Sequence, residues 1–108
     1  MILVLFEVVI RPQHKAAYLE LAAGLKAALE ASPGFIRSER FSSLAQEGKI
    51  LSLSVWEDEE AVARWRQQTE HQFCQKQGRE FMFESYQITV ASKLRSYGLT
   101  DRTEAPQP

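Results

Sequence analysis

The stretch that decides the fold is "ILSLSVWEDEEAVARWRQ", residues 50–67. Its first seven residues alternate with a period of two, the pattern of a strand with two unlike faces. At Trp56 the period changes. Asp58 can cap a helix, and Glu59 and Glu60 put negative charge where the helix dipole favours it. Ala61, Val62 and Trp65 then recur at helical steps as an inner face. In a chain of 108 residues there is room for one core. This strand-to-helix passage therefore belongs to a single small domain.

Upstream, "FIRSERFSS" (35–43) reads as a strand with mixed faces. The turn "LAQEGK" joins it to strand 50–56, so the two are expected to pair as a hairpin. "ILVLFEVVI" (2–10) is apolar except at Glu7, as a strand buried on both faces would be. Pro12 suits the first turn of a helix, where its missing N–H costs nothing. Tyr18, Leu21, Ala22, Leu25, Ala28 and Leu29 form one apolar stripe on that helix, and "SPG" (32–34) stops it. Downstream, Thr69 and Gln72 read as a new capping box. This predicts a second helix broken near Gln68 and Thr69, with its second segment running to about Phe83. "YQITVAS" (86–92) alternates as the last strand. The folded domain is expected to span 1–99, followed by a polar, flexible tail over 100–108.

The order β-α-β-β-α-β predicts an α+β, ferredoxin-like fold: an antiparallel four-stranded sheet with both helices on one face. The other face then poses a problem. Strand one alternates Leu3, Leu5 and Val9 with Val4, Phe6, Val8 and Ile10, so it is apolar on both sides. Strand three sets Leu51, Leu53 and Val55 against Ile50 and Trp56. A wet apolar face of that size is rare in monomers, so a second copy is the expected cover. The expectation is a homodimer joined sheet to sheet.

Charge and composition narrow the function. Net charge is −1 and the pI about 6.1, with no basic surplus to suggest a nucleic-acid partner. The apolar start lacks a basic leader and a cleavage site and is too short to cross a bilayer. It reads as a strand of a cytoplasmic protein with no membrane partner. Cys74 is the single cysteine, which excludes an intrachain disulfide and offers no thiolate cluster. With no HExxH or phosphate loop either, no metal site is expected.

Set in this strand order, "LSLSVWEDEEAVARWRQQTEH" (51–71) resembles the antibiotic biosynthesis monooxygenase family. The likeness rests on the strand ending in Val55-Trp56, the helix bearing Ala61 and Trp65, and a histidine six residues after Trp65. It implies a dimeric α/β barrel. It also implies, for one branch, oxidation of aromatic polyketides or quinols by O₂ without metal or flavin. The expected function is thus a cofactor-independent monooxygenase acting on a small aromatic, phenolic or quinol-like substrate. The alternative is a non-catalytic or stress-related barrel that binds a small ligand. A haem-degrading role fits less well: the resemblance asks for a histidine three helical turns after the tryptophan, where this chain has Gln75, and for an asparagine near the place of Glu7.

Such chemistry needs an apolar pocket, a proton acceptor and a donor for the developing anion. His71 is the candidate base, since an imidazole titrates near neutrality. Arg40 and Arg79 are candidates to steady the anion. Trp65 and Phe81 are candidate pocket walls, Tyr86 a candidate phenol donor, and Glu7 a candidate substrate contact. Each has a plainer reading: Trp65 as core, His71 as a wet first-turn residue, and Tyr86 as a rim residue. The arginines would then pair on the surface with Glu39 or Glu80, and Glu7 with an arginine on a neighbouring strand.

Overall fold

The computed structural model describes the backbone of residues 1–75 and 82–107, and the side chains of residues 1–68 and 82–107. The chain runs β1 (Ile2–Ile10), a 3₁₀ turn (Pro12–His14), α1 (Lys15–Glu30), β2 (Phe35–Ser42), β3 (Lys49–Trp56), α2 (Glu59–Gln75) and β4 (Phe83–Ser92). All pairings are antiparallel and the sheet order is β2-β3-β1-β4. This is the expected ferredoxin-like arrangement. Its inner strands are β3 and β1, with β1 held between β3 and β4.

Residues opposite each other in a ladder share a face. The β1–β3 register pairs Ile2 with Trp56, Val4 with Ser54, Phe6 with Ser52 and Val8 with Ile50. These are the side chains beneath the helices. Leu3, Leu5, Leu51, Leu53 and Val55 point the other way. The helix side therefore carries two serines of β3, while the leucines of that strand lie on the outer face.

Two core clusters result. Val8, Ile10, Tyr18, Ile50 and Phe83 form one; Trp56, Ala61 and Val62 form the other. Trp56 is wholly buried, and its indole N–H donates to Ser54 Oγ at 2.9 Å, which satisfies its one donor. Helix α1 seals only part of the sheet: of its stripe, Tyr18 alone is fully buried.

Two sequence expectations are corrected. Helix α2 passes through Thr69 without a break. Its true start is Asp58, whose Oδ1 accepts the Ala61 N–H at 2.9 Å. No glycine or proline lies between Thr69 and Gln75 to break it, and a mid-helix threonine costs only about 0.5 kcal/mol. The capping-box pattern at Thr69 is thus a coincidence of residue types. The last strand also begins earlier, at Phe83. The β1–β4 ladder slips between Val9 and Ile10, so that Ser85 faces Val9 while Phe83 faces Ile10. The slip turns the Phe83 ring into the core and blurs the alternation that a strand would show in sequence.

Among the described residues, no helix is long and apolar enough to cross a membrane. Over residues 93–107 there is no helix or strand. The chain there folds back on itself through Gly98 N–H to the Asp101 carbonyl (2.9 Å) and Arg102 to the Gly98 carbonyl (3.0 Å).

The α1–β2 turn depends on Gly34. Its φ is 84°, and a Cβ there would stand 2.6 Å from the Ala61 Cβ of α2. Gly34→Ala combines left-handed strain with a clash, and should lower stability by about 2–4 kcal/mol in urea unfolding. Adding Ala61→Gly should recover the clash part and leave the backbone part.

Candidate active site

The space between the two clusters is a cavity of about 500 Å³, lying between the helices and the sheet. Ser52 and Ser54 floor it from β3, with Ser38 beside them on β2. Small side chains at three adjoining positions leave the room that leucines would have filled.

Aromatic rings stand at both ends. Trp65 packs on Trp56 with ring centroids 6.1 Å apart, and Phe35 meets Trp56 edge-on at 5.5 Å. At the far end Phe6 meets Tyr86 at 5.8 Å, and Phe83 meets Tyr18 at 5.6 Å. Trp65 thus does two things at once: one part packs against the core tryptophan, and another lines the cavity. Along β4 the wall is less covered. Tyr86, Ile88 and Val90 line the cavity yet are about 40% exposed (39%, 40% and 41%).

Of the residues singled out from sequence, the structure brings together Trp65, Arg40 and Tyr86 around this space. Arg40 reaches the helix side because it pairs with Ser52, whereas Arg37 pairs with Val55 and faces outward. Glu7 is not brought in. It lies on the outer face opposite Leu51, half-exposed, with its carboxylate 3.3 Å from Lys49 Nζ. Glu7 thus pairs with a cation on the neighbouring strand, but with a lysine and not the expected arginine. Arg79 and Phe81 lie outside the described residues. His71 falls on the backbone of α2, but its side chain lies outside them too.

Sequence reading missed Tyr18. Its place in the apolar stripe of α1 made it look like ordinary core, and it is only 3% exposed. It nevertheless lines the cavity, and its hydroxyl makes no hydrogen bond with any described residue. Burial pushes the phenol pKa up, and the nearby Arg40 charge offsets part of that rise. The signal was present in the sequence as the one stripe residue with a polar tip, on a helix whose other core positions are alanine and leucine.

The profile of the antibiotic biosynthesis monooxygenase family matches residues 1–77, and the chain belongs to that family. A jasmonate monooxygenase of Pyricularia oryzae is 39% identical over 96 residues, 89% of this chain. The chain spans 45% of that relative's length. Among solved structures, a Deinococcus radiodurans protein superposes with a TM-score of 0.78 at 14% identity, over 93% of this chain and 99% of the other. SnoaB, a cofactor-independent oxygenase from Streptomyces nogalater, does so with a TM-score of 0.72 at 15% identity, over 88% and 94%. At such identities the structural likeness speaks for the fold.

A buried hydroxyl without a partner costs about 1–3 kcal/mol. Tyr18→Phe should therefore hold or raise stability, by about 1 kcal/mol in denaturant unfolding. The raised phenol pKa also has a signature in alkali. The native state keeps a proton that the unfolded chain gives up near pH 10, so this contribution is whole below pH 10 and is lost as pH rises through the folded-state value. Unfolding midpoints from pH 9 to 11 should fall less steeply in Tyr18→Phe than in wild type.

Proposed function

We propose that the chain is a cofactor-independent monooxygenase that oxidises a small aromatic, phenolic or quinol-like molecule with O₂. The observation that carries this reading is the cavity walled by aromatic rings at both ends, with Trp65 at one of them and Arg40 at its edge. Family membership and the likeness to the Streptomyces oxygenase support it.

The chemistry is balanced without an outside reductant. Triplet O₂ reacts slowly with closed-shell molecules, but an anion can transfer one electron to it. A substrate methylene flanked by electron-rich rings loses a proton, gives that electron, and recombines as a peroxide. Loss of water from the peroxide leaves a carbonyl. One oxygen atom enters the product and the other leaves as water, and the substrate carbon supplies all the electrons. The protein's part is to bind the ring flat, accept the proton and steady the anion in a place that excludes water. Trp65 supplies the flat wall, Arg40 the positive charge, and His71 on α2 is the candidate acceptor.

The working unit is a homodimer joined through the outer sheet faces. What supports it is the register that places Leu3, Leu5, Leu51 and Leu53 together on the side away from the helices. Sedimentation at micromolar concentration should give twice the 12.3 kDa chain mass. Leu5→Glu should move the mass toward one chain, since a buried unpaired charge at a sheet interface is costly. A wild-type monomer would remove the dimer from the proposal.

Activity is tested by oxygen uptake with a panel of quinols and anthrone-type phenols; jasmonate, named for the Pyricularia relative, belongs in the same panel. Trp65→Ala and Arg40→Ala should each lower kcat/KM at least tenfold, about the loss of one good transition-state contact. His71→Ala should lower kcat with a smaller change in KM. Equal rates in wild type and all three variants would overturn the assignment of roles.

A further inference from the structure

The cavity is apolar over most of its wall, but its charged rim is one-sided. Lys26, Arg40 and Arg66 line it, against a single carboxylate, Glu39, among the described lining residues. Glu39 pairs with Leu53 and so belongs to the outward side of β2, leaving the inward side to Arg40. None of the three cations makes an ion pair with a described residue. Such a rim favours an anion and repels a cation, and a cavity with low-dielectric walls strengthens the effect.

Tyr18 adds a second, independent feature. Tyr18 is buried and lines the cavity, and its hydroxyl, with no hydrogen-bond partner among the described residues, is a donor held ready for something that enters. It sits within reach of the Arg40 charge. A neutral donor beside a fixed cation is how proteins hold a carboxylate: one charge-assisted contact, and one hydrogen bond that sets the direction. The phenol also stays protonated at neutral pH, as a donor must.

We propose that the cavity selects small apolar molecules bearing one carboxylate, with the carboxylate held between the Tyr18 hydroxyl and the Arg40 guanidinium and the apolar body lying along Trp65. Within the oxygenase reading this narrows the substrate class to acids, with Tyr18 as a specificity-determining residue. Binding of acids does not require that reading to hold.

The test is calorimetric titration under nitrogen, so that no turnover intrudes. The probes are 1-naphthylacetate and 4-cyclohexylbutanoate, each against its primary amide, which keeps the shape and removes the charge. In wild type each acid should bind at least ~10-fold tighter than its amide, the scale of a hydrogen bond to a charged group. Tyr18→Phe and Arg40→Gln should each weaken the acids about tenfold and the amides less than about twofold. Tyr18→Phe should do so while being no less stable than wild type, which separates lost recognition from lost folding. Amides binding as tightly as acids, a lead that survives both substitutions, or no acid binding at millimolar concentration would each overturn the proposal. The two readings fail separately. Acid preference without oxygen uptake removes the oxygenase alone, and oxygen uptake without acid preference removes the carboxylate site alone.

Discussion

The register between β1 and β3 is the constraint from which the rest of this structure follows. It places Ile50, Ser52, Ser54 and Trp56 beneath the helices and Leu51, Leu53 and Val55 on the far side. A slip of one residue would exchange the two sets. The leucines would then fill the space under α1, and a continuous core would replace two clusters with a gap between them. The buried anchors at the ends of β3 resist that slip: Trp56 at 0% exposure and Ile50 at 7% would both be turned outward. The cavity is held open by residues that are not themselves in its middle.

The two clusters then divide the work of stability and of recognition. Trp56 is satisfied in every respect, buried among Phe35, Trp65 and Val62, with its N–H on Ser54. Tyr18 is the opposite case, equally buried but with its hydroxyl unpartnered among the described residues. A protein selected for stability alone would carry phenylalanine there, so the hydroxyl needs a reason other than packing. The difference between these two aromatic residues marks where core ends and site begins.

Much of the fold was legible because its signals were local and redundant. Strand β1 was bounded correctly by composition, the β2–β3 hairpin by alternation around a polar turn, and the start of α2 by Asp58 and two glutamates. The errors arose where one short pattern was read without its surroundings. Thr69 and Gln72 satisfy a capping rule in residue type, but a helix already capped at Asp58 had no reason to stop. The site was less legible for a different reason. A cavity is an absence of side chains, and sequence reading looks for presence. Trp65 and Arg40 stand out in the sequence because one is large and the other charged; Ser52 and Ser54 read as the polar half of a strand, although their smallness makes the room. Glu7 drew attention as a charge among apolar residues, and a neighbouring lysine accounts for it.

The same register bears on the outer face. In an antiparallel sheet with helices on one side, the more apolar set of each strand ordinarily turns toward those helices. Here β3 does the reverse, sending its leucines outward and its serines inward. An isolated domain has no use for that choice: it loses burial on the helix side and exposes apolar area on the other. The choice makes physical sense if the outward leucines are buried elsewhere, and if the inward space is kept free for a ligand. Cavity and outer face are therefore two consequences of one strand's alternation. A substitution that filled the cavity from β3, such as Ser52→Leu, would remove the room for a ligand while leaving the outer face, and any assembly built on it, as it is.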